Sequence, residues 1–328
     1  MVRIAMLSKW HVHAGGYAHF IKGNDKAEVV AVWDDNKERG EDWAEELGCP
    51  YYSDLDELLD RDDIDAVVCD APTTAHKDIL VKAAKAGKHI FTEKALCPTV
   101  AECLEVKSAV EEAGVTFVIS YPQRGRPCIQ FAKKMIEKNA FGKITFVRVR
   151  DAHNGVSGGW LPEYWFNKDD AAGGAMMDLG CHPMYLLAYI LGKPKRVTGI
   201  YTAPYGKPVD ENAVAVAEFE GGAIGVAETS FISTFAPQTV EIIGTDGAMI
   251  AQGEDVQFKS SMLDGIKNWF IKPDLPEGKP SPLEQFINAV ADGKGSPEGL
   301  GIDDAIALTE LLELSYIGND NNKIVEVE

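Results

Sequence analysis

Asp178 and His182 stand four residues apart in "GGAMMDLGCHPMYLLAYILG", Gly173 to Gly192. On a helix this spacing puts both side chains on one face. An imidazole can accept a hydroxyl proton near neutral pH, and a carboxylate can fix its tautomer and orientation. The plainer alternative is an acid in a first helical turn and a histidine satisfied inside the core. Pro183 disfavours helical torsions at His182, which sets the histidine at a kink or helix boundary, projecting into a cleft. Glu93 and Lys94 close the strand-like "HIFTEK". At such an end they form either a solvated ion pair or a cation turned toward a ligand.

The stretch "RIAMLSKWHVHAGGYAHF", Arg3 to Phe20, raises a second kind of chemistry. Arg3 to Leu7 reads as a short buried strand, and a dinucleotide-binding fold would follow it with three spaced glycines touching the pyrophosphate. Ser8, Trp10 and His13 occupy those places. Anion binding at a helix N-terminus needs backbone N–H groups rather than glycine itself. His11, His13 or Ser8 could add donors, and Trp10 could wall the nicotinamide side or pack beneath a rebuilt loop. A modified but working NAD site is expected. Asp34 ends the next strand, where an acid hydrogen-bonds the adenosine ribose. Asp35 beside it would repel a 2′-phosphate, so NAD is favoured over NADP. The pair Asp34–Asp35 could also cap the following helix. "APTTAH" brings Pro72, Thr73 and His76 to the end of a further strand, where doubly wound sheets hold ligands.

The elements that must position these residues are legible from periodicity. Strands at Glu28 to Asp34, Asp65 to Pro72, "HIFTEK" and "VTFVISY" alternate with helices of ten to fifteen residues. That alternation predicts an α/β, Rossmann-type doubly wound parallel sheet over residues 1–122. After about Tyr121 the pattern changes to consecutive strands with hairpin signals at Gly221-Gly222 and Asp246-Gly247. Residues 123–328 are expected to form an α+β domain with an open, mostly antiparallel sheet, and a helix near the C-terminus to pack back on the first domain.

Composition bounds the partners. The formal net charge of −19 over 328 residues argues against nucleic acid and anionic membranes. The six cysteines form no CxxC pair, the start lacks a signal-peptide layout, and no apolar run is long enough to span a bilayer. A cytoplasmic protein is the expectation.

Taken together, these residues resemble the Gfo/Idh/MocA oxidoreductases, a family that includes glucose–fructose oxidoreductase and inositol dehydrogenases. The resemblance covers nearly the whole chain. It rests on Asp34, "APTTAH", "TEKAL", "GGAMMDLGCH", "GKITFVRVR" and "EIIGTDGAM" in that order. It implies an NAD-dependent dehydrogenase acting on a secondary alcohol of a sugar, polyol or inositol-like small molecule. By that resemblance Lys94, Asp178 and His182 are the catalytic residues. His182 would take the hydroxyl proton, Lys94 would bond the reacting oxygen, and Asp178 would position substrate or orient the histidine. Ser8, Trp10, His13, Asp34, Asp35, Pro72, Thr73, His76, Glu93 and Lys94 would border the cofactor. Arg124, His153, Trp160 and Tyr164 fall in segments that border the family's substrate cleft. A homodimer or homotetramer through the C-terminal sheet is expected, since an apolar sheet face needs cover.

The chain departs from the family at three places. The glycine turn is replaced, and Tyr185 stands where relatives commonly have an acid. Ala95 replaces the proline after Glu-Lys, which argues against a cis bond there, since without proline it costs roughly 3 kcal/mol. Two other functions compete. His11-Val12-His13 matches the start of barrel-type metal hydrolases on spacing alone, but the antiparallel run contradicts a barrel; no metal ligand set is expected. A dinucleotide sensor without turnover would suit the missing glycines, and the presence of Lys94, Asp178 and His182 together opposes it.

Overall fold

The computed structural model describes residues 1–263 and 270–327. The chain forms two compact units, one of Met1–Ser120 with Pro280–Thr309, the other of Tyr121–Lys279 with Glu310–Glu328.

The first unit opens with β1 (Val2–Leu7), α1 (Ala14–Lys22), β2 (Ala27–Trp33), α2 (Lys37–Leu47), β3 (Tyr51–Tyr52) and α3 (Leu55–Leu59). It continues through β4 (Ala66–Cys69), α4 (His76–Lys85), β5 (His89–Thr92), α5 (Val100–Ala113) and β6 (Phe117–Ile119). The strands lie in the order β3-β2-β1-β4-β5-β6, and every neighbouring pair is parallel. Helices on both faces explain why β4, "AVVC", is buried at all four residues. The order in which strands are added reverses between β1 and β4, so the loops leaving these two parallel strands flank the crevice where such sheets bind ligands. Local chemistry fixes the helix ends: Asn36 caps α2, a Thr99–Glu102 capping box starts α5, and left-handed Gly48 and Gly114 stop the two helices.

The second unit holds α6 (Pro127–Glu137), β7 (Ile144–Ala152), α7 (Lys168–Ala171), α8 (Ala175–Asp178) and α9 (Cys181–Leu191). The strands β8 (Pro194–Thr202), β9 (Asn212–Phe219), β10 (Ile224–Ser230), β11 (Thr239–Gly244), β12 (Gly247–Gln252) and β13 (Asp255–Ser260) follow. Chain order then returns to the first unit with α10 (Pro282–Ala291), which packs on β1, β5 and β6. After α11 (Ile302–Asp320), β14 (Val325–Glu326) pairs with β8 and completes the order β13-β12-β11-β7-β10-β9-β8-β14. All pairs of this open sheet are antiparallel except β7 with β10. In β9 the alanines Ala213, Ala215 and Ala217 face inward, while Val214 and Val216 stay exposed. The nearly all-buried α9 covers the inner face against β7 and β10. All six cysteines are free thiols, and no helix among the described residues is long and apolar enough to cross a membrane.

Candidate functional site

The turn after β1 makes its left-handed corner with a serine. Ser8 has φ 69°, a region that glycine usually occupies, and is wholly buried. Its hydroxyl accepts the Trp10 amide at 3.2 Å and receives Arg39 Nη2 at 3.2 Å. These contacts fix the turn without the first glycine of the fingerprint. Trp10 is buried. The helix that follows begins "AGGYA", and a Cβ at Gly15 or Gly16 would meet nothing within 4 Å. Amides in the first helical turn have no acceptor within the helix. The α1 N-terminus therefore keeps the open, donor-rich floor that a pyrophosphate needs. The residues present fit a dinucleotide.

Asp34 and Asp35 divide the work at the end of β2. The Asp34 side chain is 0% exposed and accepts the Lys9 amide at 2.7 Å, the Asn36 amide at 2.9 Å and Arg39 Nη2 at 2.6 Å. Burial alone would raise its carboxyl; Arg39 and the two amides more than offset this and hold it below the ordinary 3.8. Asp35, 59% exposed at its side chain, also pairs with Arg39, at 2.8 Å. Burial, then its bond and charge relation to Asp34, raise the Asp35 carboxyl. Asp34 thus ties the turn to β2, and Asp35 presents the reachable oxygen.

The ends of β4 and β5 carry the next group. Pro72 and Thr73 are buried in the loop that opens α4. His76 is wholly buried, with Nδ1 at 3.1 and 3.0 Å from the Ala95 and Leu96 carbonyls and Nε2 at 2.9 Å from the Ala71 carbonyl. It clamps the two loops together, and burial lowers its pKa. The Lys94–Ala95 peptide is cis, against the expectation drawn from the missing proline. Lys94 is buried, and its amide donates to Glu93 Oε2 at 3.0 Å.

Glu93 itself is the centre of a cluster. His13 Nδ1 lies 2.9 Å from Oε1, the Tyr17 hydroxyl donates to the same oxygen, and His11 Nε2 lies 3.9 Å from Oε2. The rings of His11 and His13 meet edge to face at 4.6 Å. Burial would raise the Glu93 carboxyl, but His11 and His13 hold it well below its usual range. Asp70, one residue past β4, is also wholly buried, and neither of its carboxyl oxygens meets a hydrogen-bond donor in the structure. Burial and then the charge of Glu93 push Asp70 well above the usual carboxylate range. Sequence reasoning missed Asp70, Tyr17 and the Gly15-Gly16 pair.

In the second unit Asp178 and His182 do not share one helix. Asp178 ends the four-residue α8, and His182 is the second residue of α9. A Cβ on Gly180 would strike Met176 at 2.5 Å, and Pro183 fits only a first helical turn, so the chain breaks between them. His182 is buried, and its Nδ1 lies 2.9 Å from the Tyr185 hydroxyl, which accepts the Gln123 amide at 3.1 Å. Tyr185, standing where relatives commonly have an acid, thus meets one ring nitrogen of His182. Burial pushes its phenol well up, so it stays neutral. Arg124 is buried against Tyr121, Tyr185 and Tyr189, its guanidinium 4.8, 5.6 and 4.7 Å from their ring centres. His153 stacks on Phe231 at 5.0 Å and meets the exposed Trp160 at 4.7 Å; Tyr164 is exposed and its ring lies 6.3 Å from that of Trp165.

Comparison with known proteins supplies the decisive observation. Residues 13–121 match the model described as the oxidoreductase family, NAD-binding Rossmann fold, and residues 129–250 match the GFO/IDH/MocA C-terminal domain. The chain is 30% identical over 312 residues to scyllo-inositol 2-dehydrogenase (NAD(+)) of Bacillus subtilis (strain 168), covering 89% of this chain and 88% of that one. It belongs to the Gfo/Idh/MocA oxidoreductase family. Another relative, 2,7-anhydro-N-acetylneuraminate hydratase of Escherichia coli (strain K12), is 29% identical over 238 residues; the match spans 71% of this chain and 63% of that one. Among solved structures, GenD2 from gentamicin A biosynthesis in complex with NAD superposes with a TM-score of 0.84 at 25% identity, covering 100% and 96% of the two chains. Levoglucosan dehydrogenase in complex with NADH and levoglucosan shares the fold, with a TM-score of 0.85 at 22% identity and 99% coverage of each. Within this family the barrel reading of His11 and His13 falls away, because the first unit is an open six-stranded sheet.

Proposed function

We propose that the protein is an NAD-dependent dehydrogenase interconverting a secondary alcohol and a ketone on a sugar, polyol or inositol-like substrate. Lys94, Asp178 and His182 act as its catalytic residues. The observation that carries the catalytic half is His182, buried with Nδ1 fixed by Tyr185. When Nδ1–H donates to the Tyr185 oxygen, Nε2 keeps its lone pair and takes a proton from a substrate hydroxyl. The Lys94 ammonium is suited to stabilise negative charge growing on a reacting oxygen. Asp178, at the end of its short helix, positions the substrate. The first turn of α1 holds the pyrophosphate, and Asp35 meets the adenosine ribose over the anchored Asp34. Pro72 and Thr73 wall the cofactor, and His76 contributes by clamping their loop rather than by direct contact. The nicotinamide, when bound, supplies the hydride chemistry.

His153, Trp160 and Tyr164 offer an aromatic wall suited to the apolar faces of a polyhydroxylated ring. Arg124 acts beneath Tyr185 rather than on substrate. The free cysteines suit a reducing compartment such as the cytoplasm. The outer face of the eight-stranded sheet joins copies of the chain into a dimer or tetramer.

Calorimetric titration with NAD⁺, NADH and NADPH, followed by turnover assays on polyols, inositols and aldoses, tests this function. Lys94→Ala and His182→Ala are expected to keep NADH affinity within about threefold and to lose about 10²–10⁴ in kcat. Absence of dinucleotide binding would sink the proposal. NADH binding with no turnover on any hydroxylated substrate would favour the sensor instead.

A further inference from the structure

We propose that His11, His13 and Glu93 form a binding site for a divalent transition-metal ion of the zinc class. The three donor groups come from two loops only, the turn after β1 and the end of β5, and their ligand atoms all lie within 4.8 Å of one another. Nδ1 of His13 is 2.9 Å from one Glu93 oxygen, and Nε2 of His11 is 3.9 Å from the other. A tetrahedral ion with bonds of about 2.0–2.2 Å needs donors about 3.3–3.5 Å apart. The observed spacings bracket that value. Two imidazoles and one carboxylate suit zinc and its neighbours, and disfavour magnesium and calcium, which prefer oxygen ligands.

A second observation lies one residue from the cluster in the hydrogen-bond network. Asp70 is wholly buried, its carboxyl oxygens meet no hydrogen-bond donor, and its carbonyl accepts the His11 amide at 3.0 Å. Glu93 is equally buried. A buried carboxylate needs a positive partner, and a divalent ion held between Glu93 and the two histidines supplies it. Glu93 also has the outer support that ligating carboxylates use: Tyr17 donates to it, and Tyr17 is held in turn by Ser120 at 2.7 Å. Binding through Nε2 of His11 places its proton on Nδ1. It therefore gives up one long contact, the His13 amide at 3.3 Å. Three protein ligands leave a fourth position for water or a ligand.

The test is independent of any dehydrogenase activity. Full-length protein is stripped with a chelator, and zinc is returned in competition with a chromogenic chelator; cobalt(II) serves as the spectroscopic probe. One zinc per chain is expected, with visible cobalt bands of a four- or five-coordinate site. His11→Ala and His13→Ala should weaken zinc by more than about 100-fold, beyond the loss expected for Tyr17→Phe, an outer partner. His19→Ala, an exposed histidine of the same helix, should change nothing. Because Glu93 is wholly buried, the half-exposed His13 carries the test if Glu93→Gln fails to fold. No zinc below millimolar concentration, or equal binding by wild type and His13→Ala, would overturn the proposal.

Discussion

Asp34 and Asp35 show how much a one-residue step changes. Asp34 is held below its ordinary 3.8, so its stabilising effect is complete above that value and is lost as pH falls through the lower folded value. Arg39→Ala should therefore destabilise the protein by about 1–3 kcal/mol at pH 7, with the difference from wild type shrinking below pH 3.8. Chemical denaturation across that range reads it directly. Asp35→Ser should leave stability almost unchanged and release Arg39 toward a 2′-phosphate. The NADPH-to-NADH affinity ratio should then rise about tenfold, or 1.4 kcal/mol, by calorimetry. At this scale Asp34 and Asp35 stood out by type and position and His182 by its spacing from Asp178, Lys94 stood out only beside the family resemblance, and Pro183 marked a helix boundary. The sequence did not mark the Glu93 cluster, because Glu93 and His13 are 80 residues apart and no local period connects them. Asp70 hid in an apolar run that reads simply as strand.

At the scale of elements, the first turn of α1 is the part that departs most from family expectation. Its glycines are displaced from the fingerprint places to Gly15 and Gly16, and the left-handed corner falls to Ser8. Gly15→Val or Gly16→Val has room in the protein alone, so thermal stability should hold or rise slightly. NADH affinity should fall about tenfold or more for at least one of them, because a side chain there occupies the space over the helix amides. An unchanged affinity in both would place the pyrophosphate elsewhere. Most elements were legible from periodicity, down to the hairpins at Gly221-Gly222 and Asp246-Gly247. The two-residue β3 and β14 were not, since so short a strand carries no alternation. Nor was the parallel β7–β10 pair, because β10 reaches back past five intervening helices and strands to find its neighbour.

For the whole molecule, the question is what covers the outer face of the larger sheet. Strand register puts Ile200, Val214, Val216, Ile224, Ile243 and Ile250 on one face, each 38–74% exposed. Charges such as Arg148, Arg150 and Glu228 lie among them and satisfy one another, at 2.7 Å for each arginine. Light scattering should find a dimer or tetramer, and the double change Val214→Glu with Val216→Glu should yield folded monomer. Wild type that is monomeric at tens of micromolar would refute it. The division into units has a further consequence, for synthesis. α10 packs on β1, β5 and β6, yet it is made only after the whole segment 121–279 has left the ribosome. The nascent six-stranded sheet therefore waits with part of one apolar face uncovered. That face is where a chaperone would bind, and where a chain truncated before Pro280 would aggregate.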